Sequence, residues 1–209
     1  MITGPDNDAT RRLAAEIVSN GGLIAFRTDT FYGLGADPLN RLAVERLRTI
    51  KGRDEGKPIL LLIADIRDVE ALVSAKPPLF ELLSKQLWPG ALTIVLPASL
   101  DLPDDVTAGT GSIGLRLPAD ANVRSFVQAC GGRLTATSAN PSGREPAKSA
   151  AQVQEYFPSG IDLIIDGGPV SATAPSTVID ITCNPPKTIR EGAIPRSKLE
   201  AILGQDLEF

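Results

Sequence analysis

Apolar positions along the chain switch repeatedly between a helical spacing and short unbroken runs, and the two patterns alternate. Apolar residues three and four apart predict helices with one covered face, whereas a short run bounded by Gly, Pro or Asp predicts a buried strand. Leu13, Ile17 and Val18 predict a first helix, capped by Asp8 and stopped at Gly21-Gly22. Residues 23–26 read as a strand running into Arg27-Thr28-Asp29-Thr30, and Leu42, Ala43, Leu47 and Ile50 predict a helix ending at Lys51-Gly52-Arg53. Residues 58–63 form an apolar run suited to a buried strand. Asp65 can cap a helix through Val69 and Leu72, and Pro77-Pro78 opens another through Leu79, Leu82, Leu83 and Leu87. Strands are predicted at 91–96, 113–117, 134–137, 162–166, 176–181 and 188–190, with helices near 120–129, 150–156 and 197–203. Strands recurring between helices define an α/β class. Without an internal repeat, heptad run or low-complexity linker, a single domain over residues 1–209 is expected.

The chain carries 21 Lys+Arg against 25 Asp+Glu, a net charge of −4, and 43% hydrophobic residues over 209 positions, enough for one domain with a real core. It has no histidine. That excludes Ser-His-Asp and Cys-His catalysis, histidine-ligated zinc or iron, and any imidazole proton transfer. Cys130 and Cys183 are the only cysteines and form no CxxC pair, which favours a reducing cytoplasm over a disulfide scaffold. The N-terminus lacks a basic segment followed by an apolar run, and no stretch reaches the ~18–20 apolar residues of a membrane span, so a cytoplasmic protein with no membrane partner is expected. The acidic total makes non-specific duplex binding a poor default.

Polar residues and glycines concentrate just after predicted strands, where open α/β sheets tend to place ligands. Thr28-Asp29-Thr30-Phe31-Tyr32-Gly33-Leu34-Gly35 reads either as a polar turn or as a backbone that glycines open to a ligand. Lys51-Gly52-Arg53 can offset a helix C-terminal dipole, and with Lys57 the same loop carries three cations suited to a polyphosphate. Ser138-Ala139-Asn140-Pro141-Ser142-Gly143-Arg144 reads as a turn, or as a site, because the small residues 135–139 ahead of it let something approach the backbone. No P-loop or strand-GxGxxG-helix unit is present. Trp88 before Pro89-Gly90 suits a packing aromatic at a helix end better than a platform for adenine.

These blocks, in this order, together with Leu87-Trp88-Pro89-Gly90, Gly114-Leu115-Arg116-Leu117-Pro118 and Ser176-Thr177-Val178-Ile179-Asp180, resemble the YrdC/Sua5 family of threonylcarbamoyl-AMP synthases over about residues 10–195. The resemblance implies a single YrdC-like domain with a twisted mixed β-sheet flanked by helices around a concave basic cleft. At 209 residues the chain resembles the short form, so the additional C-terminal domain of the long form is not expected. The implied reaction condenses ATP, L-threonine and bicarbonate to threonylcarbamoyl-AMP and pyrophosphate, with Mg2+ as the phosphate counter-ion. Separate threonylcarbamoyl-transferase proteins then complete the t6A modification of tRNA, and contact with tRNA itself is possible.

By the same resemblance, Lys51, Arg53, Ser138 and Asn140 carry the catalysis, and Lys51, Arg53, Lys57, Ser112, Ser138, Asn140 and Arg190 bind ATP. Ser138 and Asn140 are expected to donate to phosphate or carbamate. Thr30, Arg116 and Ser176 hold threonine, with Arg116 matching its carboxylate. Asp29 either orders the water shell of magnesium or caps a turn. No dedicated metal site in the protein is expected. Arg27 stands where the family usually has Pro, Asp54 replaces another common Pro, and Leu62 occupies a place where long-form members often have histidine. Two other classes compete. An RNA-binding or ribosome-maturation module would use the same cleft, but the acidic total and the lack of interleaved basic and aromatic residues weigh against it. A carbamoyl-transfer domain of hydrogenase-maturation type would be expected to bring segments that this chain lacks.

Overall fold

In the computed structural model, which describes residues 1–52 and 58–208, the strands divide into two mixed sheets. The chain opens with β1 (Ile2–Pro5), α1 (Asp8–Ser19), β2 (Ile24–Arg27), β3 (Tyr32–Gly35) and α2 (Arg41–Lys51). Then come β4 (Leu61–Ile63), a 3₁₀ turn (Ile66–Ala71), α3 (Leu79–Leu87), β5 (Leu92–Pro97), the short α4 (Asp104–Thr107) and β6 (Ser112–Arg116). The second half holds α5 (Ala121–Ala129), β7 (Arg133–Thr135), β8 (Thr137–Ser138), α6 (Ala150–Tyr156), β9 (Leu163–Asp166), β10 (Thr177–Asp180), β11 (Lys187–Arg190) and α7 (Arg196–Leu203). The first sheet has the order β1-β9-β2-β3-β8 and the second β11-β10-β5-β6-β4-β7.

Side-chain alternation along the strands explains how the second sheet faces two environments. Leu61, Ile63, Leu92, Ile94, Leu96, Ile113, Leu115 and Ile179 all enter the main core. The alternate positions, Leu62, Thr93, Val95, Gly114 and Val178, look into a cleft. A second core joins α1, α5 and the first sheet, with Phe26 and Phe126 at a ring separation of 5.4 Å.

The α/β class holds, with informative departures in detail. Asn7, rather than Asp8, caps α1 by accepting from the Thr10 amide at 2.9 Å. The helix expected after Asp65 is a 3₁₀ turn closed by a reciprocal capping box with Asp68. Strand β1 has no buried apolar run; it exists because its backbone pairs in parallel with β9. The strand expected at 134–137 is split, and this split joins the sheets. Residues Arg133–Thr135 pair with β4 of the second sheet, Thr137–Ser138 pair with β3 of the first, and the Ala136 amide between them donates to the Leu60 carbonyl at 2.9 Å. Small side chains at this crossover let two backbones come together.

The segment read as a glycine-rich ligand turn contains β3, all of it buried and paired antiparallel with β2. Gly33 lines the cleft, but a Cβ on Gly35 would lie 3.0 Å from side-chain atoms of Ile24, Phe26 and Leu134. Gly35 is therefore a packing residue. Gly35→Ala should cost about 1–3 kcal/mol by overpacking, read as a fall in Tm of about 2–4 °C per kcal/mol for a chain of this size. An unchanged Tm would contradict this packing role.

Candidate active site

A cleft of about 710 Å³ lies over the bare face of the second sheet and is walled by the β2–β3 turn and the segment after β8. This is within the ~300–1,000 Å³ typical of small-molecule sites. Among the described lining residues, Lys51, Arg116 and Arg190 are cations and none is a carboxylate.

The β2–β3 turn is tied by one hydroxyl. Thr28 Oγ1 donates to the Phe31 carbonyl at 2.6 Å and accepts from the amides of Thr30 and Phe31 at 3.1 and 3.2 Å. That local closure leaves Thr30 Oγ1 within 3.1 Å of Arg116 Nη1. Arg116, at the end of β6, is only 3% exposed. Its Nε donates to the Gly90 carbonyl at 3.0 Å, and Nη2 lies 2.5 Å from Asp29 Oδ1, off the N–H axis. The Asp29 contact is therefore charge compensation more than a directed hydrogen bond. Burial lowers the pKa of Arg116 while Asp29 raises it; as a guanidinium it remains charged.

Arg190, at the end of β11, grips the opening of β10. Its Nε and Nη2 donate to the Ser176 carbonyl at 3.1 and 2.9 Å, and Nη2 also meets Ser176 Oγ at 3.2 Å. Ser176 Oγ in turn lies 2.9 Å from Thr93 Oγ1. Burial, and then the positive charge of Arg116, push the Arg190 pKa down, and both guanidiniums line the same cleft. Such a pair is complementary to an anion.

Lys51 closes α2, where Gly52 at φ 55° takes the left-handed C-cap. Its Nζ donates to the Ser138 carbonyl at 2.5 Å, and its own carbonyl accepts from the Ser142 amide at 3.1 Å. The lysine thus ties the helix end to the loop after β8. Asn140, 7% exposed, donates through Nδ2 to the carbonyls of Pro141 and Arg144 at 3.0 and 2.6 Å, while Oδ1 has no partner. Both amide hydrogens are committed to the loop here, so Asn140 shapes the wall and presents an acceptor.

The fold therefore gathers Thr30, Lys51, Arg116, Ser138, Asn140, Ser176 and Arg190 around one cleft. Arg53 and Lys57 lie outside the described residues. Ser112 does not line the cleft; it opens β6, two positions before Gly114 on the same face, with its hydroxyl 2.9 Å from Thr110 Oγ1. Thr93 and the Gly90 carbonyl were not singled out from sequence. The visible signal for Thr93 was a lone hydroxyl on the alternate face of an apolar run. Trp88 packs edge-on to Phe80 at 5.8 Å, and its Nε1 donates to the Leu92 carbonyl at 2.7 Å, fixing the turn that presents Gly90 to Arg116. Burial pushes the Cys130 thiol up to about 12, which makes it unreactive. Among the described residues, no group of three or more His, Cys, Asp or Glu could hold a metal. No described helix is long and apolar enough to cross a membrane.

This arrangement defines an α/β protein with a cleft whose described lining holds three cations and no carboxylate. A family model for Sua5/YciO/YrdC, described as telomere recombination, matches residues 16–192, and the chain belongs to that family. Among curated proteins it is similar to threonylcarbamoyl-AMP synthases of Pyrococcus abyssi, 39% identical over 194 residues (93% of this chain, 57% of that one), and of Thiobacillus denitrificans, 38% identical over 181 residues (87% and 96%). The chain spans 57% and 58% of the length of the P. abyssi and Bacillus subtilis relatives. Among solved structures, P. abyssi Sua5 complexed with L-threonine superposes with a TM-score of 0.93 at 36% identity, over 100% of this chain and 61% of that one. Escherichia coli YciO gives 0.80 at 28% identity, over 92% and 94%.

Tyr32 supports the cleft wall from behind. Its hydroxyl donates to the Gly168 carbonyl at 2.8 Å, accepts from the Gly167 amide at 3.2 Å, and lies 3.3 Å from Asp166 Oδ1. Burial, then the charge of Asp166, push the phenol from 10 up to about 12. The folded state therefore holds this proton more tightly than the unfolded chain. The resulting stability is complete below about pH 10 and is lost as the pH climbs toward 12. Denaturant unfolding should show an alkaline decline over that window that is shallower in Tyr32→Phe; equally steep profiles would contradict this assignment.

Proposed function

We propose that the chain is a threonylcarbamoyl-AMP synthase, acting on L-threonine, bicarbonate and MgATP and releasing pyrophosphate. The observation that carries this reading is one cleft whose described lining holds Lys51, Arg116 and Arg190 and no carboxylate, a surface suited to anionic groups. The likeness to a Sua5 structure complexed with L-threonine supports placing an amino acid here.

On this reading the carboxylate of threonine meets the Arg116 fork, with Thr30 and Ser176 contributing hydroxyls. Its amine, as the free base, adds to carbon dioxide derived from bicarbonate and loses a proton, giving a carbamate anion. A carbamate oxygen attacks the α-phosphorus, and the bond to pyrophosphate breaks. The nucleophile is already charged, so this adenylation requires no general base, and a chain without histidine can perform it. What the protein must supply is alignment of two anions and stabilisation of the charge spreading over phosphate oxygens. Lys51 is positioned for that role, and Arg53 and Lys57 are proposed to join it. Arg190, which also lines the cleft, is proposed to contact the nucleotide. Mg2+ would be held by the nucleotide's own phosphate oxygens and water and would neutralise their charge, since no carboxylate lines the described cleft. The product would pass to separate transferase proteins for modification of tRNA.

Pyrophosphate release by the purified protein should require ATP, threonine and bicarbonate together. Release that persists undiminished without threonine would refute the reading. Lys51→Ala should reduce turnover about 10²–10³-fold, the cost typical of one preorganised donor. A folded Lys51→Ala protein with normal turnover would show that the phosphate contact is misassigned.

A further inference from the structure

Asp29 is the one carboxylate ion-paired with a charged group of the cleft among the described residues, yet it does not line the cavity. Its Oδ2 accepts from the Ala119 amide at 3.2 Å, and its Oδ1 faces Arg116 at 2.5 Å. Both oxygens face protein groups, which ties the carboxylate to Arg116 and to the segment after β6. The turn-capping alternative is incomplete, because the partners of Asp29 lie on and after β6, far along the chain from the β2–β3 turn.

We infer that Asp29 is a positioning residue, holding Arg116 in the orientation that receives the substrate carboxylate. The inference rests on the function proposed above. Three observations carry it. Arg116 is almost wholly buried, and a buried cation without a counter-charge is strongly disfavoured. Arg190 lines the same cleft and adds a like charge, and Asp29 is the counter-charge seated against Arg116. The remaining partners, the Gly90 carbonyl and Thr30 Oγ1, are neutral: they set direction and supply no charge. They also use two of the five N–H donors of a guanidinium, leaving others for a ligand.

Asp29 also opposes a substrate carboxylate through like charge, which sets up a test with two signs. If positioning dominates, Asp29→Asn weakens L-threonine binding about tenfold or more, the scale on which partners behind a ligating group act. If repulsion dominates, the same variant binds threonine more tightly. Positioning should win, because Asp29 contacts Arg116 directly and does not line the cavity in which the ligand is proposed to sit.

The experiment compares wild type, Asp29→Asn and Asp29→Glu by equilibrium titration with L-threonine, with ATP affinity and steady-state constants measured on the same preparations. The expected result is a KM and Kd for threonine raised about tenfold in Asp29→Asn, kcat and ATP affinity near wild type, and partial recovery in Asp29→Glu. Unchanged or tighter threonine binding in Asp29→Asn overturns the inference, and so does an equal loss of ATP affinity, which would mark a merely structural residue. Wild-type protein that binds ATP but no threonine overturns the functional reading itself, a result distinguishable from the others.

Discussion

Arg116 must remain charged where water hardly reaches, and the cleft is organised around meeting that demand. A buried cation left alone costs several kcal/mol, so its partners have to be supplied by the fold. They come from separate parts of the chain: Asp29 and Thr30 from the β2–β3 turn, and the Gly90 carbonyl from the turn after α3. Each partner needs its own support. Thr28 ties the first turn, and Trp88 anchors the second to the start of β5. The same set of contacts bridges the first sheet to the second, so the geometry of the site and the packing of the sheets are one problem.

The second constraint is a sheet face that is deliberately left bare. On one side of β4, β5, β6 and β10 the side chains are large and buried; on the other stand Leu62, Thr93, Val95, Gly114 and Val178, which floor the cleft without filling it. The crossover at Ala136 adds the wall, because it carries the chain from β7 in the second sheet directly to β8 in the first and so delivers Ser138 and Asn140 to the rim. Cations over a largely apolar floor suit, on the proposed reading, a reaction whose difficulty is bringing anions together. On the proposed reading, the absence of histidine is a consistent feature of a site in which the nucleophile arrives charged.

Much of this was legible in the residues, and the rest was hidden for identifiable reasons. Amphipathic spacing located α2, α3, α5, α6 and α7 to within a residue or two, since each has one buried face. The motifs located the residues that gather in the cleft. Strand β1 was invisible because its pairing with β9 is a tertiary contact between backbones, with no apolar run to announce it. The division of residues 133–138 between two sheets was hidden because small residues fit either partner equally. Gly35 was misread because a glycine that admits a ligand and a glycine that admits a neighbouring side chain look alike in sequence. Asp29 and Arg116 are far apart in the chain, and their pairing follows only from the fold.

The most direct test of the proposed chemistry is mass spectrometry on the purified chain incubated with MgATP, L-threonine and carbon-13 bicarbonate. A single adenylate carrying threonine and one labelled carbon, formed together with pyrophosphate, is the result this account predicts. Bound nucleotide with no labelled adenylate, under conditions in which threonine also binds, would contradict it.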